Sequence, residues 1–132
     1  KLEDFFRFDQ ILLDAPCSGS GTILLNEPAS YRAFSEKLVR NSAATQLALL
    51  KKALTILKRG GTMVYSTCSI LNTENENVVR AALKGAHAHV EPIILPGMET
   101  LPLLPCALEG ALCVRPTAQY EGFFVARIRK DS

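Results

Sequence analysis

A chain of 132 residues with 48% hydrophobic and 21% charged residues has room for one domain around one core, which excludes disorder, a collagen repeat and a supercharged tail. The formal charge of +2, from 15 basic and 13 acidic residues, names no partner by itself. The longest apolar runs, such as Ile11-Leu12-Leu13, are far too short to span a bilayer, and the start Lys1-Leu2-Glu3-Asp4-Phe5-Phe6 lacks the regions of an export signal, so no membrane is expected.

Phe8 to Leu13 reads as a strand, and its apolar run suits a sheet covered on both faces. After Asp14 comes the turn-forming cluster Ala15-Pro16-Cys17-Ser18-Gly19-Ser20-Gly21-Thr22. Leu47, Leu50, Leu54 and Leu57 recur at three- and four-residue spacing and predict a helix from Ser35 or Ser42 to Lys58, with Lys58 and Arg59 at its negative end and Gly60-Gly61 as its stop. A second strand follows at Thr62–Ser66, then the loop Thr67-Cys68-Ser69-Ile70-Leu71-Asn72. Thr73-Glu74-Asn75-Glu76 has the form of a capping box, and a helix with Val78, Val79, Ala82 and Leu83 on its apolar side is expected to run from there to Gly85. Val90 to Leu95 contains a proline and is expected at a sheet edge, Pro96 to Gly110 as a long loop, and Leu112–Val114 with Gly122–Ile128 as an antiparallel pair.

Strand, helix, strand, helix, strand and then a hairpin is the order of an open α/β sheet, in which ligands gather beyond the carboxyl ends of the parallel strands. If the first two strands are neighbours joined by one right-handed crossover, Asp14 and Cys17 reach the same rim as Thr67, Cys68 and Ser69. Two thiols at equivalent strand ends point to a site, whereas either alone reads equally well as an inert turn or core cysteine. The lysine of a phosphate loop and the G-x-S-x-G of a serine nucleophile elbow are both absent.

The four cysteines contain no C-x-x-C pair, so no metal site is expected, and their number fits a reducing, cytoplasmic setting. His87 and His89 have no third ligand in view, and Cys106 and Cys113 read as packing residues. From Arg32 to Arg59, seven basic residues stand against Glu36 alone, a stretch able to meet phosphates or simply to face solvent.

Asp14-Ala15-Pro16-Cys17-Ser18-Gly19 with Gly21, then Gly60-Gly61-Thr62 leading into Tyr65-Ser66-Thr67-Cys68-Ser69, then Asn75-Glu76-Asn77, and finally Arg115-Pro116 with Glu121-Gly122-Phe123-Phe124-Val125-Ala126, together resemble the Nop/Sun family of RNA (cytosine-5) methyltransferases. The bacterial ribosomal-RNA type is the most similar. The resemblance implies methyl transfer from S-adenosylmethionine to C5 of a cytosine in RNA, rRNA before tRNA, in an unpaired or extruded base. It makes Cys68 the nucleophile at C6, Cys17 the second thiol that assists product release, and Asp14 a contact of the target base. Asp14 and Pro16 would border the cofactor, and Pro16, Thr67 and Ser69 the substrate.

The glycine-rich cofactor loop and ribose-binding acid of the family precede the strand that ends at Asp14, and neither is found between Lys1 and Phe8. The expectation is therefore the carboxyl-terminal half of a Rossmann-like class I methyltransferase sheet, mostly parallel with an antiparallel closing hairpin. Residues 1–132 would be a partial catalytic domain, inactive alone, a weak binder of S-adenosylmethionine, and prone to self-association through the exposed edge of its first strand. Thr117 stands where the family has a histidine in the closing motif. The rival from another class is a non-catalytic RNA-binding module that uses the basic helix of residues 32–59.

Overall fold

The two faces of the central sheet are decided by alternation in its first strand. In the computed structural model, which describes residues 5–132, Ile11 and Leu13 of β1 (Phe8–Asp14) turn toward the helices and pack on the core, whereas Leu12 between them is 73% exposed. The remaining elements are α1 (Glu36–Ile56), β2 (Leu57–Thr67), α2 (Glu76–Leu83), β3 (Ala88–Glu91), β4 (Leu103–Leu104), β5 (Leu112–Val114) and β6 (Phe123–Lys130), with single 3₁₀ turns at Ser20–Thr22, Pro28–Ser30 and Met98–Thr100. Both helices pack on the Ile11 side through Leu50, Ala53 and Leu54 of α1 and Val78, Val79 and Ala82 of α2, against Met63, Tyr65, Phe124, Ala126 and Ile128 of the strands. Cover on both faces, expected from the apolar run of β1, is therefore not found among the described residues. No helix among them is long and apolar enough to cross a membrane.

The sheet order is β1-β2-β6-β5-β4, with β3 pairing β6 beside β5. β1 and β2 are parallel; every other pairing is antiparallel. The expected α/β sheet is present, and β1, β2, β3 and β5 do run in one direction. They are not mostly neighbours, however, because β6 inserts antiparallel between β2 and the β3–β5 edge. The expected hairpin of β5 and β6 is thus what separates the co-directional strands. Glu91 of β3 forms ion pairs with Arg127 at 3.2 Å and Arg129 at 3.4 Å on β6, and the strand ends before Pro92, which has no N–H to continue the ladder. Part of the predicted Pro96–Gly110 loop is ordered as β4 against β5.

α1 starts where its chemistry dictates: Ser35 accepts from the Leu38 N–H at 3.0 Å, and Glu36 sits in the positive first turn. Its end comes two residues before the predicted one, because Leu57 is fully buried in an extended conformation and already pairs with Phe8. Lys58 and Arg59 therefore lie in β2, and Lys58 pairs with Asp9 at 3.2 Å. The helix-terminal carbonyls are met instead from a distant element, as Lys130 Nζ donates to Leu54 O at 2.7 Å and Leu57 O at 2.9 Å. α2 begins at Glu76 rather than after Thr73, with no side-chain bond from its cap residue Asn75, and Glu76 Oε2 accepts from Ala107 N–H at 3.4 Å.

Register slips between Phe8 and Gln10, where β2 bends past Gly60 and Gly61. A Cβ on Gly61 would stand 2.8 Å from both Asp9 O and Lys58 O and 2.9 Å from Leu57 Cδ1. Gly61→Ala is expected to cost about 2 kcal/mol by forcing that bend open, read as a lower urea midpoint; a midpoint equal to wild type would contradict the packing argument.

Candidate active site

Parallel pairing brings Asp14 opposite Ser66, so the chain leaves both strands at the same rim, and Ala15 N–H donates across to Ser66 O at 2.8 Å. Two residues further on each side lie the thiols. Cys17 Sγ and Cys68 Sγ are 3.0 Å apart, both half-buried and both reduced. Burial first, and the hydrogen bond with Cys68 second, push the Cys17 thiol up from 9.0 to about 12. Cys17 therefore keeps its proton at neutral pH, and either sulfur can donate in the shared bond.

The other expected residues divide into an exposed and a buried set. Asp14 is exposed and its Oδ1 accepts from Ser66 Oγ at 3.1 Å; Pro16 is exposed too, and its carbonyl accepts from Gln46 Nε2 at 2.7 Å. Asp14, Ser66, Thr67 and Cys68 line an open cleft of about 470 Å³ together with the apolar Leu12, Val64, Phe123 and Val125. The hydroxyls of Thr67 and Ser69 are buried, at 2% and 0% exposure, and bond inward. Thr67 Oγ1 donates to Asn75 Oδ1 at 2.6 Å, and Asn75 Nδ2 donates to Ser69 O at 2.8 Å.

Beneath the thiols lies a polar knot that the motif reading did not single out. Glu74, fully buried, accepts from Ser18 N–H at 2.6 Å, Ser18 Oγ at 2.5 Å, Ser69 Oγ at 2.8 Å and Gln46 Nε2 at 3.4 Å. Its carbonyl accepts from the Tyr65 hydroxyl at 3.0 Å. Ser20 Oγ lies 3.0 Å from Ser69 Oγ and accepts from Ile70 N–H. Gln46 Oε1 is the one buried side-chain polar atom without a partner among the described residues. An orphan acceptor costs about 1–3 kcal/mol, so its amide is oriented by what its Nε2 must reach. The sequence signals for these residues are a glutamine inside the apolar stripe of α1 and a run of polar residues ahead of α2.

Backbone contacts complete the site. Gly21 N–H donates to Cys68 O at 2.9 Å, and Gly122 N–H donates to Gly21 O at 2.8 Å, so the start of β6 is laid directly on both thiol loops. A Cβ on Gly21 would fall 2.1 Å from Gly122 O, which only glycine avoids. Thr117 closes a turn, accepting through Oγ1 from Gln119 N–H and Tyr120 N–H.

The remaining candidates lie elsewhere. His89 Nδ1 is 2.9 Å from Asp131 Oδ1 at the surface, and no group of three or more His, Cys, Asp or Glu able to hold a metal occurs among the described residues. Cys113 is buried in β5, opposite Phe124, and Cys106 is half-buried near Leu108 O. Of the basic stretch, Arg32, Lys37, Arg40, Lys51, Lys58 and Arg59 are exposed, Arg40 pairing with Glu36 and Lys58 with Asp9.

The family described as 16S rRNA methyltransferase RsmB/F matches residues 2–129 of the chain. Ribosomal RNA small subunit methyltransferase F of Cronobacter sakazakii is 43% identical over 129 residues, covering 96% of this chain and 26% of that protein. The protein of the same name from Shewanella piezotolerans is 41% identical, over 97% of this chain and 27% of its own length. Among solved structures, NSun6 from Pyrococcus horikoshii with SFG superposes with a TM-score of 0.79 at 29% identity, covering 96% of this chain and 31% of that one. A methyltransferase homolog protein from the same organism gives 0.73 at 36% identity, over 95% and 40% of the two chains. The chain thus spans about a quarter of the length of the curated relatives it matches. With its match running from residue 2 to residue 129, the chain belongs to the RsmB/F family of 16S rRNA methyltransferases.

Proposed function

We propose that the protein carrying this chain transfers a methyl group from S-adenosylmethionine to C5 of a cytosine in RNA, in the small-subunit rRNA before tRNA, with Cys68 as nucleophile. The observation that carries the proposal is the 3.0 Å approach of Cys68 to a second thiol that holds its proton. C5 of cytosine is a poor nucleophile until a soft sulfur adds at C6. Cys68 Sγ forms that S–C6 bond, and the electrons of the C5=C6 double bond become available at C5. The attacking Cys68 has given up its thiol proton to solvent, C5 uses the released electron pair to bond the methyl group, and a base then takes the C5 proton. The C5–H electrons restore the C5=C6 double bond and the S–C6 bond breaks with its pair returned to Cys68, while Cys17 holds a proton beside the departing sulfur. Asp14, exposed at the rim, would contact the base and offset charge that develops on the ring.

The rim fits a cofactor of this kind in part: the Asp14 carboxylate lines a cleft with one apolar wall, and Pro16 is exposed two residues further along the same loop. Asp14 and Pro16 would border S-adenosylmethionine, which supplies the methyl group when bound. Thr67 and Ser69 act on the substrate from below, by holding the loop that presents Cys68. Thiols that must stay reduced support a cytoplasmic setting for the protein.

The two cysteines are separated by single substitutions in the full gene product. Cys68→Ser is expected to reduce methylation of RNA below about a thousandth of wild type, whereas Cys17→Ser accumulates a denaturation-resistant protein–RNA adduct. Methylation by Cys68→Ser would overturn the assignment; salt-sensitive RNA binding by the wild type, with neither methylation nor an adduct, would leave the basic stretch of residues 32–59 as a binding module.

Thiol labelling checks which sulfur is the reactive one. With iodoacetamide at pH 7.5, Cys68 is expected to react before Cys17, Cys106 and Cys113, all of which are held toward the neutral thiol by burial. A raised value keeps the unreactive form at neutral pH, so Cys17 labelling should rise about tenfold per pH unit toward pH 12; faster labelling of Cys17 than Cys68 at pH 7.5 would contradict the order.

The 132 residues alone are expected to associate through the outer edge of β1, which pairs on one side only among the described residues, and to bind S-adenosylmethionine weakly. Sedimentation with calorimetry tests this, and a monomer that binds the cofactor tightly would refute it.

A further inference from the structure

We propose that Glu74 is a positioning residue that sets the distance between the two thiols and, through it, the rate of the covalent step. The inference rests on the reading of Cys17 and Cys68 as the working pair. Glu74 is fully buried, does not line the cleft and has no contact with either sulfur, so any effect on the chemistry passes through the residues it holds.

What it holds is specific. One carboxylate grips the residue immediately after each cysteine: Ser18, through both its N–H at 2.6 Å and its hydroxyl at 2.5 Å, and Ser69, through its hydroxyl at 2.8 Å. The two loops come from strand ends far apart in sequence, and this is the side chain that bonds to both. Gln46 adds a third anchor, reaching Glu74 Oε2 at 3.4 Å while the same Nε2 donates to Pro16 O at 2.7 Å, which fixes the Cys17 loop to α1. All four contacts are donated to the carboxylate, the arrangement in which short charge-assisted hydrogen bonds form. Backbone bonds from Ala15 to Ser66 O and from Gly21 to Cys68 O bracket the Cys17 loop on either side. Between those brackets Ser20 Oγ also meets Ser69 Oγ and Ile70 N–H at 3.0 Å, and Glu74 is the link that grips the residue next to each cysteine and so sets where Cys17 rests against Cys68.

Substitutions grade this link. In Glu74→Gln the amide oxygen can accept from Ser18 N–H and Gln46 Nε2 while the amide nitrogen donates to the Ser18 and Ser69 hydroxyls, which turn to accept; both loops stay joined. Glu74→Asp is one methylene too short to reach both, and Glu74→Ala joins neither.

The full-length protein is equilibrated in glutathione buffers, in which oxidised glutathione becomes two thiols as Cys17 and Cys68 lose two protons and two electrons to form an S–S bond. The Cys17–Cys68 peptide is quantified by mass spectrometry. Glu74→Ala and Glu74→Asp are expected to lower the effective concentration of the thiol pair at least tenfold, and Glu74→Gln to stay within about threefold of wild type. In methylation assays, Glu74→Ala should lower kcat about 100-fold, as a misplacement of about 1 Å does, with KM for RNA within threefold, and Glu74→Gln should restore most of the loss. Ile128→Ala, a cavity in β6 away from the loops, controls for general destabilisation and should leave the thiol equilibrium unchanged. If Glu74→Ala fails to fold, Ser69→Ala cuts the Cys68-side arm and is held to the same expectation, while Ser18→Ala, which keeps the Ser18 N–H bond to Glu74, should give a smaller shift in the same direction. A thiol equilibrium unmoved by these variants, or moved equally by Ile128→Ala, overturns the proposal. A shifted equilibrium in a protein that methylates no RNA upholds the positioning role and refutes the methyltransferase reading, so the two failures are distinct.

Discussion

The parallel pairing of β1 with β2 is the constraint from which the rest of the site follows. An antiparallel pair would send its two chain ends to opposite rims, and the loops after Asp14 and Thr67 would never meet. Parallel strands need a crossover, and residues 15–56 supply it, with α1 as its helix. The crossover also determines which side of the sheet is dry. α1 brings Leu50, Ala53 and Leu54 onto Met63 and Tyr65, and α2 extends the same layer. Each fully buried leucine contributes about 2 kcal/mol, so this one-sided layer holds β1 against β2 and, with it, the spacing at the rim.

Above that layer the stabilising forces change character. The loops that carry Cys17 and Cys68 rest on Glu74, Ser69, Asn75, Gln46 and the Tyr65 hydroxyl rather than on a hydrophobic bed. A buried polar network is favourable only when its members are satisfied, and here the one unsatisfied atom is Gln46 Oε1. Such a network contributes less to net stability than apolar packing of equal volume, but it is directional. Hydrogen bonds with defined donors select one arrangement of the loops, where interchangeable methyl groups would admit several.

Much of the fold was legible because it is written in periodicities. The 3.6-residue stripe of α1, the strand at Thr62–Ser66 and the closing hairpin appear where their patterns place them. The misplaced details share one physical cause, which is partners remote in sequence. α1 stops at Ile56 because Leu57 pairs with Phe8 and because Lys130 meets its last carbonyls, and neither partner is visible from residues 47–61. The predicted capping box at Thr73 lacks its glutamate, because Glu76 Oε2 accepts from Ala107 N–H, thirty-one residues away, at 3.4 Å. β6 inserts beside β2 from the far end of the chain. In the site, Cys17 and Cys68 were legible as a pair from their equivalent places after strands; Glu74 and Gln46 were not, since a buried glutamate among helix-start residues carries no spacing signature.

The two thiols illustrate how one fold gives identical side chains different chemistry. Cys17 lies on a loop tied down at Ala15, Pro16, Ser18 and Gly21, so it cannot swing out to recover solvation, and burial raises its proton affinity. Cys68 lies at the end of β2, beside Asp14, Ser66 and the open cleft. Either sulfur can donate across the 3.0 Å between them, and burial keeps the Cys17 thiol protonated. The asymmetry therefore originates in loop anchoring rather than in a dedicated general base, and no histidine is required for it: His87 and His89 belong to the far end of the sheet, with His89 occupied by Asp131.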